Sequence, residues 1–218
     1  MDEARPRGRR GVDATDLARV AVFAGIVAVL GLPGGFSVFG AVPITAQTLG
    51  VMLAGAILGP WLGALSMTAL LTLVAAGLPL LAGGRGGATV FIGPTGGFAL
   101  GWILGAFVIG LIVHAGARKP VWWRTLLGIV VGGIGAVYAI GIPVQSAVTH
   151  LPLGSTALQS LVFVPGDLIK AVIATLVVRT LVRAYPRAFR REWARTSRRR
   201  SEGARSQAVG SRPVGSGR

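Results

Sequence analysis

Asp167 and Lys170 are two charged residues in a stretch, residues 125–178, that is otherwise free of Asp, Glu, Lys and Arg. Because residues three apart lie on one face of a helix, the two groups can neutralise each other. Pro165 and Gly166 precede them and open a helix, so Asp167 falls in its first turn, where the helix dipole favours an anion. Lys170 then faces inward, and its partner Asp167 already interacts with the helix dipole. The pair is therefore a candidate for ligand binding, with structural neutralisation as the alternative.

Arg85 is a third isolated charge, since residues 20–117 contain no other charged residue. It lies in the sequence GGRGG, in which glycines such as Gly84 and Gly86 let backbone N–H groups approach a ligand closely. The same glycines also suit a flexible turn that binds nothing.

Thr45 and Gln47 contribute neutral hydrogen-bond donors and acceptors to the same predicted site. The three isolated charges together carry a net charge of +1. This balance matches a small monoanion that also has polar N–H groups.

The long uncharged runs predict a membrane protein. The chain has 218 residues, of which 52% are apolar and 13% charged, and a soluble domain would present more charge over its surface. A charge at membrane depth costs about 2.5 to 3.5 kcal/mol on insertion scales, so the three isolated charges require a physical explanation. Alternation with a period of two is absent, and we therefore predict an all-α integral membrane protein.

Six apolar segments, separated by Gly and Pro clusters, are predicted to be membrane helices, and the second of them is short for a membrane span. They cover residues 17–32, 43–58, 61–78, 97–113, 122–142 and 166–181.

The basic residues predict the orientation of these six helices. Twenty of the 22 Lys and Arg fall in three clusters, at residues 5–19, 118–124 and 179–218. Six spans place all three clusters on one side, and the positive-inside rule makes that side cytoplasmic. The net charge of +15 therefore indicates topology, with attraction to membrane lipids, and no nucleic acid is expected as a partner.

The chain is accordingly divided into a cytoplasmic N-terminal segment, a six-helix transmembrane domain and a disordered Arg-rich cytoplasmic tail, at residues 1–16, 17–183 and 184–218. Four tryptophans near span ends are interpreted as interfacial anchors: Trp61, Trp102, Trp122 and Trp123.

The residues for most catalytic chemistry are missing. The sequence has no Cys, and its two histidines, His114 and His150, are predicted on opposite membrane faces, where they cannot share a metal ion. Neither paired carboxylates nor a Ser, His and Asp set with consistent topology is found, and the GxxxxGK[ST] pattern is absent. We predict no catalytic residue, no metal site, no cofactor and no ATP hydrolysis by this chain.

Four stretches in this order resemble the BioY family, the biotin-specific substrate-binding components (S-components) of energy-coupling-factor (ECF) vitamin transporters. They are PITAQTLGVMLAG at 43–55, PLLAGGRGG at 79–87, IGPTGGFALG at 92–101 and PGDLIKAVIATL at 165–176. The resemblance implies a six-helix S-component that captures biotin at the outer face, with Asp167 and Lys170 in the pocket. Arg85 and Gln47 also match family motifs. Tyr138, the polar aromatic of the fifth span, is a candidate pocket residue without motif support.

The resemblance also implies partners: a membrane-embedded coupling subunit and two ATPase subunits. On the first helix, Ala21 with Gly25 and Ala24 with Ala28 have the spacing of small residues that permits close helix contact. This surface is the candidate contact with the coupling subunit. Ordinary packing within the chain is the alternative.

Two other functions compete with this interpretation. A self-sufficient carrier of another small organic acid would use an ion gradient, but proton-coupled carriers usually contain several membrane acids, and here Asp167 stands alone. An integral-membrane transferase would require catalytic His residues or clustered acids, which the sequence lacks.

Overall fold

The computed structural model describes residues 13–36, 44–115 and 120–184, and within these ranges the chain is mostly helical. The helices in chain order are α1 (Ala14–Val29), α2 (Gln47–Leu58), α3 (Pro60–Ala75), α4 (Thr89–Ile92), α5 (Gly96–His114), α6 (Trp122–Ile129), α7 (Val137–Thr149), α8 (Leu153–Ser160) and α9 (Val164–Ala184). Between α1 and α2, the strand β1 (Gly35–Phe36) pairs antiparallel with β2 (Ile44–Thr45). This short ladder is a small departure from the all-helical prediction.

Two pairs of helices are continuous. A π-helical stretch, Val130–Ala136, joins α6 to α7, and a 3-10 turn, Leu161–Phe163, joins α8 to α9. The combined helices Trp122–Thr149 and Leu153–Ala184, together with α5, are the three in the described ranges that are long and apolar enough to cross a membrane. Helices α2 and α3 are also apolar but shorter. The chain is thus a helical, multi-pass membrane protein.

The predicted spans agree with the helices in position and differ at the ends. The fifth predicted span stops at residue 142, whereas the helix extends to Thr149 through Pro143. Helices α4 and α8 were not predicted, because four and eight residues are too few to give a clear periodic pattern.

Helix α1 begins before the predicted boundary at residue 17. Asp13 caps the helix, since its side chain accepts a hydrogen bond of 2.8 Å from the backbone N–H of Asp16. Residues 14–16 of the predicted N-terminal segment are therefore helical. Residues 1–12 of that segment, and the predicted tail 184–218 apart from Ala184, lie outside the described residues.

Helix α5 is the centre of the packing and contacts α2, α3, α6 and α7. Glycines allow this close approach. A Cβ atom at Gly101 would lie 2.9 Å from the carbonyl oxygen of Val137 in α7, and one at Gly110 would overlap Pro60 at the start of α3. The sequence thus uses small residues to bring backbones together, as membrane helices commonly do.

Candidate functional site

A polar cavity lies where α2, α5 and α9 begin, beside α7 and the segment between α3 and α4. It is lined by Thr45, Gln47, Thr48, Leu81, Arg85, Thr95, Phe98, Ala99, Trp102, Val137, Tyr138, Phe163, Asp167 and Lys170. Its volume of about 80 Å³ is small beside the roughly 300–1,000 Å³ of sites for drug-sized ligands. Side chains of the walls must therefore shift to accept a larger molecule.

Asp167 and Lys170 form an ion pair within this cavity, in which Asp167 is buried and Lys170 is partly buried. The Lys170 Nζ atom lies 2.9 Å from Asp167 Oδ1, as the spacing of three residues predicts for one helix face. Asp167 is in the first turn of α9, the position expected from Pro165 and Gly166. The Asp167 side chain is only 7% exposed, so little water reaches its carboxylate.

Two hydroxyl groups from other helices form hydrogen bonds with the ion pair. Tyr138 of α7 donates a hydrogen bond of 2.7 Å to Asp167 Oδ2. Thr48 of α2 accepts one of 2.9 Å from Lys170 Nζ and lies 3.4 Å from Asp167 Oδ1. A buried charge is tolerable when it is paired and hydrogen-bonded, and here three helices supply the partners.

Arg85 occupies another part of the cavity wall and keeps most of its donors. Its segment is folded by an antiparallel bridge between Leu81 and Arg85. The guanidinium donates from Nε to the Ala82 carbonyl at 3.2 Å and from Nη1 to Thr95 Oγ1 at 3.3 Å. Within the described ranges no carboxylate pairs with it. Since a guanidinium has five N–H donors, most remain for a ligand.

Gln47 lines the cavity, but its side-chain amide is hydrogen-bonded to backbone groups. Its Nε2 donates to the carbonyls of Val27 at 3.2 Å and Leu80 at 3.1 Å, and its Oε1 accepts from the N–H of Ala82 at 2.9 Å. Gln47 is 1% exposed. The side chain therefore joins the end of α1 and the segment after α3 to the start of α2, and one lone pair of Oε1 remains for a ligand.

The other predicted site residues divide into two groups. Thr45, like Gln47, lines the cavity, at the end of β2. Gly84 and Gly86 flank Arg85 but are not among the lining residues. A Cβ atom at Gly86 would overlap the carbonyl of Leu78, so this glycine serves the close folding of the segment.

Sequence reasoning missed several walls of the cavity. Thr48 and Thr95 bind the charged groups, and Phe98 packs edge-on against Tyr138 with ring centroids 5.8 Å apart. The interpretation of Trp102 as an interfacial anchor is wrong, because the side chain is 7% exposed and lines the cavity. Its spacing of four from Phe98, which places both on one face of α5, was the available signal.

The small residues of α1 border an apolar groove on the outside of the bundle. Ala21 and Gly25 are exposed there, whereas Ala24 is buried in the core and Ala28 is half-buried. Leu73 of α3 is among the residues that form the opposite wall. The groove thus offers Ala21 and Gly25 to a neighbouring molecule, and Ala24 mainly supports it from beneath.

This helical membrane bundle, with a net positive, half-open cavity that contains polar groups at one end, has the architecture of a solute-binding membrane protein. The chain belongs to the BioY family, whose match covers residues 4–187. The resemblance seen in the sequence motifs is thereby confirmed.

Relatives of the chain carry concordant names. It is 45% identical over 177 residues to the "Biotin transporter BioY" of Rhizobium etli, a match that covers 78% of this chain and 95% of the relative. It is also 45% identical over 170 residues to the "Probable biotin transporter BioY" of Bacillus subtilis, covering 78% and 91%.

A solved structure has the same fold. The crystal structure of the S-component for biotin from an ECF-type ABC transporter superposes with a TM-score of 0.73 at 35% identity, and the match covers 78% of this chain and 91% of that one. The described helices therefore have the S-component fold.

Proposed function

We propose that this chain is the biotin-binding membrane component of a vitamin uptake transporter. The observation that carries the proposal is the cavity of this BioY family member, in which a guanidinium with free donors and the Asp167–Lys170 ion pair face one space. The relatives named biotin transporters support the choice of ligand.

The chemistry of biotin matches the groups that line the cavity. Biotin has a carboxylate, a cyclic urea with two N–H groups, and an apolar ring with a thioether. We assign the carboxylate to Arg85, whose donors are free, and a urea N–H to Asp167, which accepts bonds from Lys170 and Tyr138 and has acceptor capacity left. Phe98 and Trp102 supply apolar contact.

The remaining predicted pocket residues have smaller parts in this proposal. Thr45 and the free lone pair of Gln47 offer further hydrogen bonds to the urea or the carboxylate. Gly84 and Gly86 act indirectly, by shaping the segment that carries Arg85.

We further propose six membrane crossings, with both termini in the cytoplasm and the cavity toward the outside. The three long apolar helices account for three crossings, and α1, α2 and α3 for the others. A shorter helix can cross where the bilayer thins or where polar flanks reach the interface. The basic side chains near the end of α9 lie at the opposite end of that helix from Asp167, in agreement with this orientation.

Import requires a source of energy that we assign to partner subunits. The sequence has no Walker pattern, so a coupling subunit in the membrane and two ATPase subunits are the proposed partners, as the ECF-type neighbour suggests. The groove beside α1 is the proposed contact with the coupling subunit. The chain itself is proposed to need no cofactor and to perform no catalysis.

Calorimetric titration of the purified, detergent-solubilised chain with biotin tests the function. We expect saturable binding of one biotin per chain without ATP, because the polar groups of the cavity all belong to one chain. Desthiobiotin, which keeps the urea and the carboxylate, should compete, whereas lipoate, which lacks the urea, should compete poorly. A folded sample that binds no biotin, or that prefers lipoate, contradicts the assignment.

A further inference from the structure

A second cavity lies at the opposite end of α9 from the polar cavity. It has a volume of about 280 Å³, and its walls include Trp122 and Thr125 of α6 and Val178, Arg179 and Arg183 of α9. At a rise of about 1.5 Å per residue, Arg183 is roughly 24 Å along α9 from Asp167. The second cavity is therefore separate from the proposed biotin site.

The charge in this second cavity is positive. Arg179 and Arg183 are exposed and stand one helical turn apart, so both guanidinium groups can reach one anion. In the described part of the chain neither pairs with a carboxylate. A guanidinium pair without an acid partner suits a phosphate, which accepts two parallel hydrogen bonds from each planar fork.

The remainder of the second cavity is apolar or internally satisfied. Val178 and Thr125 are buried at its base, and the Thr125 hydroxyl donates to the Val121 carbonyl at 3.1 Å. Val182 adds a further apolar wall. An occupant should thus combine an anionic group with a hydrocarbon part.

Tryptophans place this cavity at the level of the lipid headgroups. Trp122, in its wall, and the neighbouring Trp123 are both about half exposed at the start of a helix long enough to cross the membrane. Exposed tryptophans at helix ends mark the membrane interface. Farther along the same helix, Leu127 and Val131 are exposed apolar side chains that suit hydrocarbon.

We propose that the cavity between α6 and α9 binds the phosphate group of an anionic phospholipid. Arg179 and Arg183 hold the phosphate, and an acyl chain lies along Val178 and Val182. A free phosphate ion would satisfy the arginines but leave these apolar walls in water. The lipid is the occupant that uses both parts of the cavity.

Native mass spectrometry of the full chain tests this proposal. The chain is released from micelles that contain equal amounts of phosphatidylglycerol and phosphatidylcholine, and the lipids retained are counted. We expect the unmodified chain to retain phosphatidylglycerol preferentially. The double variant Arg179→Gln with Arg183→Gln should lower that preference by about tenfold, since hydrogen bonds to charged groups are lost.

A second double variant, Arg19→Gln with Arg124→Gln, is the matched control. It removes the same charge from residues outside the walls of the cavity. We expect its lipid preference to stay within about twofold of the unmodified chain. Equal losses in the two double variants would mean a general effect of net charge and would overturn the proposal.

Two further results decide the source of the phosphate and guard against misfolding. Phosphatidylglycerol should raise the thermal unfolding midpoint of the chain, whereas inorganic phosphate at the same concentration should not. An equal rise with inorganic phosphate that depends on the two arginines would assign the site to a free anion and would overturn the lipid proposal. If the Gln double variant fails to fold, the single variant Arg183→Gln applies the same test, with an expected loss of about threefold. An unchanged lipid preference in that folded variant also overturns the proposal.

Discussion

Asp167 is buried, and its charge is shared by three neighbouring side chains. Lys170 and Thr48 lie against one carboxylate oxygen, and Tyr138 donates to the other. A carboxylate has about four acceptor positions, so one or more positions remain free. For the proposed role in biotin binding, this acceptor is held in place before the ligand arrives, which would reduce the entropy lost on binding.

The ion pair gives the sharpest prediction at the residue scale. Asp167→Asn and Lys170→Met should each weaken biotin binding by about 1.5 to 3 kcal/mol, or roughly ten- to a hundredfold, if the pair bonds the ligand. The double variant Asp167→Leu with Lys170→Leu should fold, because removing a buried pair as a unit is often neutral for stability, and it should not bind. Calorimetric titration measures both effects.

Arg179→Gln is a suitable control, since it removes a charge from the same helix outside the polar cavity. Its biotin affinity should not change measurably. A folded double Leu variant with near-native affinity would instead make the pair purely structural.

The sequence identifies the charged residues of the site, and Tyr138 as a lining residue, but it does not reveal the contacts made by Thr48 and Gln47. Asp167 and Lys170 are predictable because three residues of a helix separate them. Thr48 is 119 residues from Asp167, and one Thr in an apolar helix gives no sign of a distant partner. For Gln47, a motif predicts a place at the site, but only the folded chain reveals its bonds to the backbone of α1 and of the segment after α3.

At the scale of elements, the π-helical stretch Val130–Ala136 directs Tyr138 toward the site. A π-helical turn contains more residues than an α-helical turn, so it rotates every side chain that follows it. Gly132 and Gly133 are buried in this stretch, where a Cβ atom at Gly132 would lie 2.7 Å from the Gly105 carbonyl of α5. A count of α-helical turns along the sequence cannot foresee that rotation.

A substitution in helix α1 tests the proposed contact with the coupling subunit. A Cβ atom at Gly25 would meet no atom within 4 Å, so Gly25→Leu fits the isolated chain and fills the exposed groove. The change removes a helix glycine and should add up to about 1 kcal/mol of helix stability. We expect normal biotin binding but reduced co-purification with the coupling subunit and reduced uptake in the complete complex.

Val22→Leu is the control, because Val22 is exposed on α1 and is not among the groove residues. Substitution at Ala24 would be less informative, since a larger side chain there would disturb the core. Normal uptake and co-purification with Gly25→Leu would place the coupling contact elsewhere.

At the scale of the whole molecule, the charged residues of α9 are separated along the length of that helix. Asp167 and Lys170 meet in the polar cavity near the start of α9, whereas Arg179 and Arg183 are near its end. This separation was predictable, because the positions of charged residues in long apolar runs are visible in the sequence. The short α4 and α8 were not, since neither has a periodic pattern of its own.

Cysteine labelling tests the proposed orientation in a chain that has no native Cys. Ala88 is exposed beside the segment of Arg85, and Ala184 is exposed at the end of α9. In intact cells, an impermeant thiol reagent should label Ala88→Cys, and it should label Ala184→Cys only after permeabilisation. The unmodified chain is the control for background, and the reverse pattern would invert the proposed topology.

The segment between α3 and α4 borders both the polar cavity and the groove beside α1. Leu81 and Arg85 line the cavity, whereas Leu78 and Leu80 line the groove, and Gln47 binds the backbone between them. One short piece of backbone thus belongs to both proposed binding surfaces. Thermodynamic linkage then requires reciprocity: if a protein bound in the groove weakens the hold on the vitamin by some factor, the vitamin weakens the hold on that protein by the same factor.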